Sequence, residues 1–424
     1  VVRTTLGVLL VLLACGQARA GGSFMPDIGV RRLGMLAVVA RPDDVTAIFH
    51  NPAGLTLQKG THLYHSQSWF LADLKLRLYD SQGVLRPDHE ISPDWNVGAI
   101  PFLGVASDLG TERWRLAIAA YAPNAYGAAL PKDEPTRYHA TRALFLAPRV
   151  ATAVAYEVTK KLSVAATVNL VISYLSAARM MNAAVLADPD RRFDPVEETR
   201  ATDFEARMKG LGVAWSLDAG VLFHPTETFS IGAAFAGGSD VRMKGPISLT
   251  YADGTTESTT QHTRTVIPFT LRAGFNWELA PDFELGMDVY YWHYQVLQEQ
   301  RVTFDEPLAG MDGLVDPKDY GNSWDWNIGL LYHLTDEWEL MCGFQMDFTP
   351  IPSQAFSLDN PTRDLLGISA GARWDISPHW KVGVALMQNW FDVANVQDSV
   401  STPPSNAKGH GGNAAFGIDV SYTL

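Results

Sequence analysis

Over most of this chain, side chains alternate one by one between apolar and mixed, and the connections between the alternating stretches are by turns short and long. In 324–332, Trp324, Trp326, Ile328, Leu330 and Tyr332 share one parity, and Asp325, Asn327, Gly329 and Leu331 hold the other. In 338–348, Trp338, Leu340, Cys342, Phe344, Met346 and Phe348 stand against Glu339, Met341, Gly343, Gln345 and Asp347. The last segment sets Ala414, Phe416, Ile418, Val420 and Tyr422 against Ala415, Gly417, Asp419, Ser421 and Thr423. Successive side chains of a strand point to opposite faces, so each segment has one greasy face and one mixed face.

A soluble sandwich would alternate too, and the connections decide between the two. Short turns recur at 157–161, 224–228, 279–283, 334–338 and 377–380. Long polar connections lie between them, at 74–94, 124–141, 181–207, 243–263, 301–323, 350–363 and 394–411. That alternation belongs to outer-membrane barrels, with tight turns on the periplasmic side and long loops outside. The segments number about fourteen, an even count as such barrels require. Trp338, Trp380, Trp277 and Phe229 lie beside short turns, while Trp390, Trp324 and Phe348 lie toward long loops, as two interfacial girdles would. The fold class expected is therefore all-β, an antiparallel transmembrane barrel over 61–424.

Composition narrows the function classes. Apolar residues make up 47% and charged residues only 19%, which excludes disorder. No run approaches the ~20 apolar residues of a spanning helix. A net charge of −13 without a basic block argues against nucleic acid. Two cysteines, Cys15 and Cys342, make neither a disulfide framework nor a cysteine-rich zinc site. The histidines are scattered through turns and loops, His224, His333 and His379 among the turns and His89, His262 and His410 among the loops, and no His-Glu-x-x-His occurs, so no catalytic residue, metal or cofactor is expected.

Residues 1–20 read as a secretory signal, with Arg3, the apolar run Leu6–Ala14 and an Ala18-Arg19-Ala20 cleavage site after Ala20. Leu12-Leu13-Ala14-Cys15 offers a competing lipoprotein box, with Cys15 as a lipidation site. Residues 21–60 do not alternate. They carry Pro26, Gly29, Gly34, Pro42, Pro52 and Gly54, and Asp43-Asp44-Val45-Thr46-Ala47 reads as a short capped helix. A compact non-strand element ahead of a barrel is expected to plug it as a hatch.

The order Gly22-Ser23-Phe24, Leu33-Gly34, Asp43-Asp44 and His50-Asn51-Pro52-Ala53-Gly54-Leu55 resembles the hatch of FadL-type outer-membrane transporters (OMPP1/FadL/TodX). Tyr121-Ala122-Pro123-Asn124-Ala125-Tyr126-Gly127, with Arg137-Tyr138 and a strand reaching Ala155-Tyr156, resembles their third strand, loop and fourth strand. The likeness spans the chain by layout and these two stretches by motif. The final Leu424 departs from the usual terminal aromatic, though Phe416 and Tyr422 keep the pattern.

That resemblance implies a fourteen-stranded monomeric barrel for passive uptake of long-chain fatty acids or other hydrophobic small molecules. Substrate would land between the long loops, bind near the hatch N-terminus and leave sideways into outer-membrane lipid through a kinked third strand. Aromatic hydrocarbon uptake is the alternative substrate class. The rival roles are a scaffold of a secretion system, a polar porin and, as an enzyme, an outer-membrane phospholipase. Candidate ligand and hatch residues are Phe24, Asn51, Pro52 and Ala53, and the candidate kink is Pro123 with Gly127. Parity turns Arg149, Arg272, Arg373 and Lys381 inward, with Asp218, Asp288, Asp325, Asp347, Asp375 and Asp419. An outward Arg or Lys would cost ~2–4 kcal/mol at the bilayer midplane, so the parity has force. Arg149 and Arg272 are the candidate carboxylate anchors, since Arg binds carboxylates bidentately.

Overall fold

The computed structural model describes residues 27–80, 82–86, 90–92, 97–183, 200–358, 363–401 and 404–424. The expected signal, Phe24 and most of the 181–207 connection lie outside them. Two short helices come first, α1 (Val30–Met35) and α2 (Ala47–His50), followed by a 3-10 turn at Pro52–Leu57. The wall then has fourteen staves. The first six are β1 (Thr61–Leu78), β2 (Val97–Ser107), β3 (Trp114–Tyr121, then Ala125–Ala128), β4 (Arg142–Leu146, then Arg149–Thr159), β5 (Leu162–Asn182) and β6 (Asp203–Phe223). Next come β7 (Phe229–Ala236, then Ser239–Thr250), β8 (Thr256–Ile267, then Thr270–Ala280), β9 (Phe283–Trp292, then Glu299–Leu308) and β10 (Met311–Pro317, then Ser323–His333). β11 (Trp338–Asp347), β12 (Leu365–Asp375), β13 (Trp380–Val396) and β14 (Ala407–Thr423) complete it.

Every neighbouring pair is antiparallel, and β14 pairs with β1 from Thr423↔His62 to Ala407↔Leu78, so the sheet closes on itself. Closure removes the two free edges that an open sheet would present to lipid, which only a barrel of strands achieves. Following cross-strand partners once around the wall from Thr61 returns to β1 at Lys75, fourteen residues nearer the long-loop end. One residue of stagger per strand tilts the strands by roughly 35–45°.

The expected parity holds in the lower wall. Leu103, Ile118, Trp215, Leu217, Leu271, Ile368 and Leu386 are exposed, and Arg149, Arg272, Arg373, Asp218, Asp288, Asp325 and Asp419 are buried on the inner face. Large rings sit at both rims, Trp338 stacked on Trp374 at 5.2 Å near the short turns and Trp390 and Trp324 exposed toward the long loops.

Two of the expected loops are strand instead. The 243–263 connection is the hairpin of β7 and β8, and the 301–323 connection carries the upper parts of β9 and β10. In β7 and β8 the faces swap. Below Gly237-Gly238 the outward residues are Ile231 and Phe235; above it Asp240, Arg242 and Lys244 point out while Val241, Met243, Ile247 and Leu249 are buried. Pro268-Phe269 interrupts β8 in the same way. A break that slips the strand by one residue exchanges its faces. Above the membrane the outside is wet, so the charged parity belongs there and the apolar parity turns into the lumen.

Candidate functional site

Residues 27–60 are packed inside the wall. Leu33, Met35, Leu36, Val39, Ala47, Ile48 and Leu55 are fully buried, and the segment reaches strands all round the barrel through polar groups. The Val38 and Val39 N–H groups donate to the Asp288 carboxylate at 2.6 and 3.0 Å, and the Val30 N–H donates to Asp419 at 3.2 Å. Tyr64 donates to the same Asp419 at 2.6 Å. Ser369 donates to the Gly34 carbonyl at 2.8 Å and Ser230 to that of Ala40 at 2.9 Å. Arg32 lies among Asp27 (3.3 Å), Asp325 (3.6 Å) and Asn327 (2.9 Å). Asp288 and Asp419 are therefore acceptors for N–H groups of an irregular backbone that would otherwise be buried unsatisfied.

Nearer the periplasmic end, Arg373 makes a two-pronged contact with Asp43 at 2.9 and 2.8 Å and pairs with Glu339. Arg31 joins Asp43 (2.9 Å) to Glu284 (3.0 Å). Burial works to raise the Asp43 carboxyl, but Arg31 and Arg373 outweigh it and hold it well below the ordinary 3.8. A depressed carboxylate stabilises above its unfolded value, and that contribution is lost as pH falls through its folded value. This anchor therefore survives mild acid and is released only well below pH 3.8. Burial pushes the His50 imidazole down, keeping it neutral, and its Nε2 lies 2.8 Å from the Ile28 carbonyl.

Wall glycines make room for this segment. Gly286, Gly329 and Gly343 face each other across β9, β10 and β11, and all three lie against Met35. A methyl on Gly329 would run into the Met35 carbonyl. Gly329→Leu is expected to leave an assembled barrel whose 27–60 segment is displaced, read as faster amide exchange there with unchanged heat-modifiability on gels.

Of the expected ligand and hatch residues, Asn51, Pro52 and Ala53 act as a latch in this structure. The Asn51 amide donates to the carbonyls of Val39 (2.8 Å) and Val221 (3.0 Å) and accepts from the Ala53 N–H (3.2 Å), and Pro52 opens the 3-10 turn. Arg272 donates to the carbonyls of Phe49 (2.5 Å) and His50 (3.2 Å) with its guanidinium 4.5 Å from the Phe49 ring, so it holds α2. Arg149 is buried, donates to Asn124 at 3.1 Å and keeps its Nε–H without an acceptor.

Pro123 and Gly127 mark a break in the wall. β2 pairs with β3 only as far as Phe102↔Tyr121. Above that point Val97–Pro101 pair with β1 alone, and Ala125–Ala128 pair with β4 alone. Pro101 and Pro148 flank Pro123 on the adjoining staves. Each proline removes a ladder donor, and prolines in sheets belong at edges. Arg149, opposite Tyr121, stands just inside this break. Sequence reasoning missed Pro101 and Pro148.

Above α2 a cavity of about 780 Å³ is lined by Tyr126, Phe145, Leu175, Met243, Ile267, Tyr294 and Tyr320 together with the charged Asp240, Arg242, Lys244, Arg264, Glu299, Arg301 and Lys318. Tyr126 stacks on Phe145 at 5.6 Å, which brings the cavity to the upper side of the β3 break. Smaller polar cavities lie at the periplasmic end, around Asp43 and His379 (about 140 Å³) and around Arg41 and His224 (about 340 Å³). The rings and aliphatic side chains are the lining that a hydrophobic ligand requires, and polar groups beside such a lining fix a ligand's orientation.

Residues 11–424 match the family model of the outer membrane protein transport protein (OMPP1/FadL/TodX). Among solved structures, a Pseudomonas aeruginosa FadL homologue is similar at TM-score 0.81 and 16% identity, covering 95% of this chain and 100% of that one. The Ralstonia pickettii toluene transporter TbuX is similar at TM-score 0.72 and 15% identity, with 93% and 97% covered. The Pseudomonas putida toluene transporter TodX gives TM-score 0.72 and 14% identity, with 96% and 100% covered. At these identities the structures speak to the fold. No curated protein matches the sequence.

Proposed function

The chain belongs to the outer membrane protein transport family (OMPP1/FadL/TodX), and on that premise we propose that it passes long-chain fatty acids by hatch-gated diffusion with release through the β3 break. As a member of that family it is an outer-membrane β-barrel transporter of hydrophobic compounds. The observation that carries the finer reading is the inward apolar face above α2. A porin lumen is polar, whereas here Phe145, Leu175, Met243 and Ile267 line the upper cavity. Each methylene moved from water into such a lining gains about 0.8 kcal/mol, so an acyl chain is held there and a sugar is not. Arg149 at the break, whose Nε–H has no acceptor, supplies a cationic partner for a carboxylate. The break offers the exit: two banks without a ladder between them part at no cost in backbone hydrogen bonds. Residues 27–60 close the direct route to the periplasm. The mature chain in this reading begins at Gly21, after cleavage at Ala20.

One observation favours the second substrate class. Tyr126, Phe145, Tyr294 and Tyr320 make the same cavity rich in rings, which suits an aromatic hydrocarbon. The deciding experiment is uptake of labelled oleate, toluene and a polar sugar by cells lacking their own transporter and expressing this barrel. Oleate entry that falls on Arg149→Ala supports the fatty-acid reading. Toluene entry alone moves the substrate to aromatics. Entry of neither, with the barrel assembled, removes the transport reading and favours the scaffold.

A further inference from the structure

The lipid-facing side of β1 carries two polar side chains where the wall otherwise meets acyl chains. The outward residues of this strand are Leu63, His65, Gln67, Trp69 and Leu71, with Tyr64, Ser66, Ser68 and Phe70 buried between them. His65 stands between Val420 of β14 and Leu103 of β2, both exposed toward lipid. Gln67 stands between Ile418 and Pro101. Next along the strand, Trp69 stacks on Phe416 at 5.6 Å. The pair is thus a polar island inside the apolar band, and polar groups that face hydrocarbon cost free energy unless they find partners.

The place of the pair and its unused atoms point the same way. Pro101 is the first residue of β2 without a partner on β3, and Gln67 is its register partner, so the pair lies one strand, about 5 Å, from the break. The His65 Nδ1 is 3.0 Å from the Phe102 carbonyl. A carbonyl only accepts, so Nδ1 carries the proton and Nε2 of the neutral ring is a bare acceptor. The Gln67 amide donates one N–H to the Ser68 carbonyl at 2.9 Å and keeps a second. Among the described residues neither that N–H nor the His65 Nε2 meets a partner. An acceptor and a donor two residues apart on one face, about 7 Å at the backbone, complement a neutral carboxyl group, which has one O–H to give and one carbonyl to satisfy.

We propose that His65 and Gln67 receive the protonated carboxyl group of a long-chain fatty acid on the lipid side of the β3 break. The acid O–H donates to His65 Nε2, and the acid carbonyl accepts the second N–H of Gln67. The inference rests on the reading of the break as the exit and names what that exit recognises. Inside the wall Arg149 suits a carboxylate, but hydrocarbon admits the neutral acid rather than the charged form, so the neutral acid is what the pair meets. An aromatic hydrocarbon has neither an O–H nor a carbonyl, and the pair gives it nothing.

Photo-cross-linking of the barrel in phosphatidylethanolamine nanodiscs tests this, with an oleic acid that carries a diazirine close to its carboxyl group. Cross-links are expected on the β1 and β2 peptides around 65–67 and 99–103. His65→Leu with Gln67→Leu is expected to reduce them about tenfold, the scale of one or two hydrogen bonds. Excess oleic acid is expected to compete and methyl oleate to fail, because the ester has no O–H. Gln388→Leu, at an outward glutamine of β13 between the exposed Leu386 and Trp390, is expected to change nothing. Undiminished cross-linking in the double variant overturns the proposal, as does equal competition by methyl oleate. Labelled oleate uptake measured alongside separates this site from the transport reading. Uptake by the native barrel that the double variant leaves intact overturns the site alone. No uptake by the native barrel overturns the transport reading, and the cross-links then report the site by themselves. Should the double variant fail to assemble, Gln67→Leu alone carries the same test.

Discussion

A barrel carrying Gly34→Cys and Met341→Cys is expected to lose hydrophobic uptake when oxidised and to regain it on reduction. A Cβ at position 34 would stand 3.4 Å from the Met341 Cβ, close to the usual disulfide span of about 3.5–4.5 Å. Gly34 lies in α1, and Met341 is a buried inward residue of β11, so the bond fixes the centre of the 27–60 segment to the wall. The native Cys342 is exposed on the opposite face and is replaced by serine in both arms. Labelled oleate uptake is measured with and without reductant, expecting oxidised cells to fall to the level of cells without the barrel. The β3 break begins at Tyr121, whose ring meets Phe49 of α2 at 5.4 Å, so substrate reaching the break passes over this segment. Undiminished uptake in the oxidised form would take the gate away from α1 and leave the wall break as a permanently open exit.

Much of this architecture was legible because lipid enforces parity. Trp324–Tyr332 and Trp338–Phe348 alternate as they do because one face meets acyl chains, and the inward set of Arg149, Arg272, Arg373 and Asp288 follows from the same rule. The rule reverses where the outside becomes wet. Val241, Met243, Ile247 and Leu249 also alternate, but with the apolar side inward, and a search for greasy outer faces reads them as loop. Gly237-Gly238 and Pro268 are the visible marks of that reversal. The segment at 27–60 has no period of its own, because its order is imposed by Asp288, Asp419, Ser369 and Arg272 reaching in from distant strands. Gly286, Gly329 and Gly343 look like ordinary small residues on a polar parity until Met35 is seen against them. Arg149 and Arg272 were indistinguishable by parity, yet one borders the β3 break and the other is taken up by the carbonyls of α2.

Arg373→Ala is expected to loosen the 27–60 segment more than any other single truncation of a wall side chain. Its guanidinium is 2% exposed and serves Asp43 and Glu339 together. Removing one partner of a buried ion pair costs about 3–5 kcal/mol, because the remaining charges are left unpaired. The Asp43 side chain is 27% exposed, which puts the effect nearer the lower end of that range. Amide exchange across 27–60 would quicken, and a polar antibiotic would enter cells faster, while heat-modifiability reports an intact wall. The control separates orphaned charge from lost packing. Arg373→Met with Asp43→Asn keeps bulk in the site and removes the main unpaired acid, so it should recover part of the protection. Arg31 still holds Glu284 in that variant. If the double variant exchanges as fast as Arg373→Ala, packing rather than charge secures this end of the segment. If neither changes exchange or entry, the segment is held by the Asp288 and Asp419 contacts with α1 and the turn after it, and the periplasmic ion pairs set only its electrostatics.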